Sequence, residues 1–151
     1  MNKVALVLIA LLAILYGVAL TVPIEPEEQR PGTGLGGELA AEQATDWSFY
    51  SGPKKIWVQT RTWYGIPHSV TTTSFAVDGL LYVPCRDCET KRWPKNVARD
   101  PRVRLKIDGK LYERRAVPIN DEAERARLVL ALAGEPRPNV SVFRMDPREA
   151  R

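Results

Sequence analysis

Residues 93–128 read WPKNVARDPRVRLKIDGKLYERRAVPINDEAERARL, and their pattern decides the fold. Val103, Leu105 and Ile107 alternate with Arg102, Arg104 and Lys106, which is the period of a half-buried strand. Asp108-Gly109 follows as a two-residue hairpin signal, because glycine reaches positive φ at little cost. Residues 110–119 then return antiparallel. On the N-terminal side, residues 93–99 predict a short helix, with Pro94 suited to a first turn. Asp100-Pro101 ends it, since the residue before proline avoids the helical region. On the C-terminal side, residues 122–133 predict a second helix. Asp121 with Glu124 makes a capping-box-like start, and Gly134 and Pro136 close the end. Ala126, Val129, Leu130 and Ala133 form the stripe expected to cover a sheet.

Further upstream, residues 56–63 (IWVQTRTW) are β-branched and aromatic, hence a strand. Tyr64 to Pro67 form a turn, and residues 69–77 a second strand. Asp78-Gly79 is another hairpin signal, leading into a strand over 80–86 with Pro84 near its end. Residues 140–145 make a last short strand. The order is β-β-β-α-β-β-α-β. Hairpin-linked meanders of this kind argue for a mainly β fold with two helices, a small barrel that removes its own edges. Parallel α/β winding has no support.

The remaining N-terminal third differs in character. Residues 4–22 carry no charged side chain, and 19 residues at about 1.5 Å each nearly match the ~30 Å hydrocarbon core. Lys3 before the run and Glu25, Glu27 and Glu28 after it orient the segment N-in, C-out. An uncleaved single-span anchor is favoured over a cleaved signal peptide, because the run exceeds an ordinary signal core. Both place the remainder on the extracytoplasmic side. Residues 24–50 hold six acids and one base, with clustered glycines and prolines, and read as a flexible tether with a short helix near 38–45. Residues 51–151 hold 20 bases and 12 acids, a net of +8. The expected division is an anchor over 1–23, an acidic tether over 24–50 and a basic barrel over 51–151. The overall 44% hydrophobic and 26% charged content excludes a disordered or fibrous chain. Two cysteines exclude a disulfide-dense mini-protein. Nucleic acid is not expected as a partner of an exported basic domain.

The stretch from about residue 54 to 133 resembles the split β-barrel oxidoreductases. These are the flavin and deazaflavin binders related to pyridoxamine-phosphate oxidase, with the nitroreductase and quinone-reductase branch nearest. The likeness rests on Trp93, Asn96, Pro101 and Val103 in a Trp-x-x-Asn-x-x-x-x-Pro-x-Val run. Upstream, Thr60 or Thr62 is followed by Gly65, Pro67 and His68, similar to the family's strand and Gly-x-Pro turn. Two departures stand out. The turn carries Trp63, Tyr64 and His68 where the family carries phosphate-holding bases. Residues 85–91 (CRDCETK) replace a glycine-rich stretch.

The resemblance implies a split barrel of the FMN-binding type, preceded here by a transmembrane helix. It implies FMN or the deazaflavin coenzyme F420 as cofactor, a small electron acceptor such as a quinone or nitro compound, and a homodimer. Cofactor contacts are expected from Thr60, Tyr64, Gly65, His68, Thr71, Thr72, Arg86, Lys91, Trp93 and Asn96. No general base is assigned, since the cofactor carries the hydride chemistry. Each residue also has a structural reading: threonines favour strands, Trp93 and Asn96 can pack a helix, and Arg86 and Lys91 can be solvated. Cys85 and Cys88 are open to a disulfide or free thiols, a redox pair, or half a metal site. The alternative function is a non-enzymatic binding module on the same barrel.

Overall fold

The computed structural model describes residues 2–149. The chain forms α1 (Lys3–Thr21), β1 (Glu38–Leu39), β2 (Lys54–Arg61), β3 (Pro67–Val77) and β4 (Leu80–Arg86). A 3-10 turn (Cys88–Thr90) and α2 (Arg92–Arg99) follow. Then come β5 (Arg102–Ile107), β6 (Lys110–Pro118), α3 (Glu122–Ala133) and β7 (Val140–Pro147). The predicted strand and helix order from β2 onward is the observed one. Both hairpin signals act as read: Asp78 and Gly79, then Asp108 and Gly109, all take positive φ, as a type I′ turn requires.

Six strands close into a barrel in the order β6-β5-β2-β3-β4-β7, with β7 pairing back to β6. Strand β6 is shared. Its residues 110–115 pair with β5 and residues 114–118 with β7, which leaves the outer edge of its first half free. There β1 runs parallel to it through Glu38 opposite Lys110 and Leu39 opposite Leu111, covering the edge. The helix expected near 38–45 is absent; the free backbone groups of β6 draw residues 38–39 into extended pairing instead.

The interior is one apolar cluster. Ile56, Val58, Leu81, Val83, Val103, Leu105, Ile107, Ala116 and Met145 fill it from all six strands except β3, whose Val70 and Ala76 pack at its margin. Trp93 and Val97 of α2 belong to the same cluster and close the barrel where β2 ends. Trp47 and Tyr50 close the opposite end, beside the β3–β4 turn, where the Trp47 amide donates to the Gly79 carbonyl. On the outer wall, α3 packs Leu128 and Val129 against Phe75, Tyr82 and Val142. Asp121 caps this helix as expected, accepting from the Glu124 amide at 2.7 Å, and Gly134 ends it in the left-handed region. The buried face is rotated from the predicted stripe: Ala126 and Leu130 are exposed. The second half of α3 is apolar nearly all round, so periodicity alone does not select its face.

Residues 24–50 do not hang free. Gly32 bridges Ser69 of β3 with two backbone hydrogen bonds of 2.8 and 3.0 Å. A Cβ at Gly32 would lie 2.0 Å from the Ile24 carbonyl oxygen, so only glycine fits this crossing. The Leu35 amide donates to Gln59 Oε1 at 2.7 Å, and Glu25 pairs with Lys106. Leu35, Ala40, Trp47 and Tyr50 are all buried. The segment is a strap fastened to the barrel wall. Its few apolar residues find partners on strands distant in sequence, which composition does not reveal.

Inside the Trp47 end lies Arg114, fully buried. Its guanidinium sits between Trp47 and Tyr112, 5.4 and 5.7 Å from the ring centroids, and donates to the Ala44 carbonyl. Burial lowers its pKa from the ordinary arginine value. Trp47 thus covers both the apolar core and an interior cation. Trp47→Ala is expected to destabilise the protein by about 3–5 kcal/mol, the cost of a large-to-small change in a core. Urea unfolding of the full chain in detergent measures it; a change within about 0.5 kcal/mol, as for an exposed tether residue, contradicts the assignment.

Candidate functional site

The predicted site residues separate into three places. The first lies under α2. Thr60 and His68 are cross-strand partners of β2 and β3. Thr60 Oγ1 donates to the His68 carbonyl at 3.2 Å and accepts from Asn96 Nδ2 at 2.9 Å. Asn96 Oδ1 in turn accepts from Arg99. Asn96 is 2% exposed, and Trp93 is buried with its ring 4.9 Å from that of Phe143. These side chains clasp α2 onto the barrel. Asn96 is committed to Thr60 and Arg99, and Trp93 to the core, so packing accounts for both.

His68 is buried beside them. Desolvation, reinforced by the positive charge of Arg92, holds its imidazole below the usual pKa of 6.5. It is therefore neutral at pH 7. Tyr64 and Gly65 sit in the β2–β3 turn, with Gly65 at φ 87° and its amide donating to the Thr62 carbonyl. Tyr64 is exposed and lies edge-on to Trp63.

The second place is the rim over residues 85–95. Cys85 and Cys88 form a disulfide, Cα atoms 5.4 Å apart, which leaves neither sulfur free to ligate a metal in this state. The link tightens the turn that follows β4, where Asp87 takes positive φ. Arg86 is exposed at the end of β4, Lys91 is exposed at the start of α2, and Arg92 and Lys95 follow on that helix. None of these four cations joins an ion pair among the described residues. Cations at a helix N-terminus oppose its dipole, so an anion bound there relieves the mismatch.

The third place is the outer face of β2 and β3. Alternation sends Thr72, opposite Ile56, into the barrel, and Thr71, opposite Trp57, to the outside. The two threonines therefore do not share a site. Thr71 borders an open groove of about 620 Å³ between the β2–β3 face and strap residues 26–30. Trp57, Lys55 and Arg30 also line it, together with Glu27 and Glu28. The Thr71 hydroxyl is buried and has no hydrogen-bond partner within the protein. The aromatic ring of Trp57, with Lys106 5.0 Å from its centroid on one face, suits a flat ring system, and Lys55 and Arg30 suit an anionic group, although Glu27 and Glu28 balance their charge. Lys55, Trp57 and Arg30 were not among the expected site residues. The alternation of β2, which puts Lys55, Trp57, Gln59 and Arg61 on one outward face, is the signal that could have found the first two. Nothing in the sequence marks Arg30, because an acidic, glycine- and proline-rich stretch carries no local signal of docking on a distant strand.

His68 gives this region a pH dependence of known sign. Its folded pKa is below the unfolded value near 6.5, so the unfolded chain binds more protons as pH falls below that value. The stability that this contributes is complete above pH 6.5 and declines as pH falls toward the folded pKa. The His68→Gln variant is expected to lose less stability than the native chain between pH 7.5 and 5.5, measured by urea unfolding at both. Equal losses contradict a buried neutral imidazole.

Comparison of the sequence with family models and with curated proteins finds no match. Solved structures do share the fold. A pyridoxamine 5'-phosphate oxidase-like protein of Listeria innocua is 19% identical, with 64% of this chain and 86% of that chain covered at a TM-score of 0.51. A conserved hypothetical protein of Mycobacterium tuberculosis is 17% identical, covering 78% and 87% at a TM-score of 0.52. The heme storage protein HutZ of Vibrio cholerae is 12% identical, covering 64% and 83% at a TM-score of 0.50. The fold is a split β-barrel of the pyridoxamine-phosphate-oxidase-like type, with one extra strand and an N-terminal apolar helix.

Proposed function

We propose that this protein is a membrane-anchored split-barrel oxidoreductase that binds FMN or coenzyme F420 and reduces a small acceptor such as a quinone or nitro compound. The observation that carries the reading is the groove of about 620 Å³ over Trp57, with the unpaired Thr71 hydroxyl on its wall. Such a cofactor, when bound, supplies hydride transfer. The chain's own part is to bind and orient. Trp57 offers an aromatic wall, the buried Thr71 hydroxyl a hydrogen-bonding group that a small shift of its side chain would turn to a ring edge, and Lys55 and Arg30 charge for a phosphate beside Glu27 and Glu28. The exposed cations Arg86 and Lys91 lie at the α2 end, outside the lining of this groove, and add to the positive charge of the domain. No side chain is assigned a proton-transfer step. In this reading residues 1–23 anchor the chain, 24–50 fasten it and 51–151 carry the site, on the extracytoplasmic side. The split-barrel resemblance extends the proposal to a homodimer.

A second reading, a non-enzymatic ligand- or protein-binding module, is favoured by one observation. Thr60, Trp93 and Asn96 are buried and engaged in holding α2 on the barrel. Titrating the full chain in detergent with FMN and with F420, by cofactor fluorescence, separates the two. Micromolar or tighter binding of one cofactor is expected. Thr71→Val and Lys55→Glu are each expected to weaken it about tenfold, equivalent to about 1.4 kcal/mol. A folded protein that binds neither cofactor contradicts the oxidoreductase reading and leaves the binding module.

A further inference from the structure

Trp63 is 81% exposed, an unusual degree for the largest apolar side chain. It stands at the tip of the β2–β3 turn with Tyr64, their rings 5.2 Å apart and perpendicular. The turn is closed from within: the Thr62 amide and hydroxyl both donate to the Ile66 carbonyl, at 3.2 and 2.7 Å. The rings are therefore presented outward by a tight frame, with the exposed Arg61 just before it.

This turn is tied to the apolar helix. Tyr16 Oη of α1 donates to the Tyr64 carbonyl at 2.6 Å. Tyr16 lies five residues before Thr21, the last residue of α1, so about 7.5 Å along the axis from its end. Leu20 to Pro23, where the helix ends, share a cleft with Gln59 and Pro67, on the strands flanking the same turn. Downstream, the Gly32–Ser69 bridge and the Glu25–Lys106 pair fasten the chain again within about a dozen residues. The connection between helix and barrel therefore has little slack.

We propose that the β2–β3 turn is a membrane foot: Trp63 and Tyr64 seat at the boundary between headgroups and acyl chains of the bilayer that α1 crosses. The inference rests on reading α1 as an anchor, which its length and composition allow. The occupant is a lipid surface because the depth matches. The turn tied to Tyr16 lies about 7.5 Å inside the end of α1, within the roughly 5–10 Å to which interfacial apolar groups insert, at a membrane face where tryptophan and tyrosine are enriched. Tryptophan and tyrosine are the two residues with an apolar ring and a polar atom for that layer. Arg61 is placed for lipid phosphate. The barrel then rests on the membrane through its β2–β3 turn, rather than at the end of a free tether.

The test uses the full chain reconstituted in phosphatidylcholine vesicles, with and without lipids brominated near the headgroup end of their acyl chains. Flotation with the vesicles is scored first. The native protein is expected to float and to lose tryptophan emission to the bromines. Trp63→Phe is expected to float equally and to lose most of that quenching, while its unfolding midpoint in detergent stays unchanged. Flotation with no quenching, or quenching unchanged by Trp63→Phe, overturns the foot and leaves the anchor intact. Shielding of Trp63 by a second protein chain, seen as a blue-shifted emission without bromine quenching, overturns it too. Failure to float overturns the anchor, and the foot with it.

Discussion

Closure of the sheet through β6 is the constraint on which the rest depends. One strand pairs with β5 on one side and with β7 on the other over part of its length. The barrel so formed has no long open edge, and the short gap that remains is filled by β1. Closure also dictates what points inward. Residues 112, 114 and 116 of β6 face the interior, which places a guanidinium among apolar side chains. A buried cation without a carboxylate carries a desolvation cost, and the rings of Trp47 and Tyr112 with the Ala44 carbonyl offset part of it. The strap is therefore part of the fold and not an appendage: it supplies Trp47 and Ala44 at one end and β1 at the edge.

The same strap shapes the candidate site. Without residues 26–30, Trp57 and Thr71 would lie on an open sheet face; with them, that face becomes one wall of a groove. The groove thus arises from a segment outside the barrel lying over the outward side chains of two strands. The region under α2 is different in kind. Its polar atoms bond to one another across Thr60, Asn96 and Arg99, and these bonds hold α2 on the end of the barrel. The disulfide between Cys85 and Cys88 adds to this by fixing the turn that leads into α2.

The legible parts of the sequence are those with local causes. Asp-Gly hairpins, the strict alternation of β5 and the Asp121 cap each operate over a few residues, and each appears where the pattern put it. What was not legible depends on partners far along the chain. Leu35, Trp47 and Tyr50 lie scattered in an acidic, glycine-rich stretch, and only the closed barrel supplies surfaces for them. Trp93 and Asn96 match a family pattern, but their bonding partners Phe143 and Thr60 show that packing already explains them. Thr71 and Thr72 looked equivalent in sequence. Strand register separates them, one to the interior and one to the groove.

The central claim is that the outer β2–β3 wall and the strap together hold a flavin-type ligand. Hydrogen–deuterium exchange of the full chain in detergent, with and without saturating FMN or F420, tests it most directly. The account predicts slowed exchange in peptides covering residues 24–35 and 53–59. Slowed exchange confined to residues 86–96, or none anywhere at saturation, would contradict it.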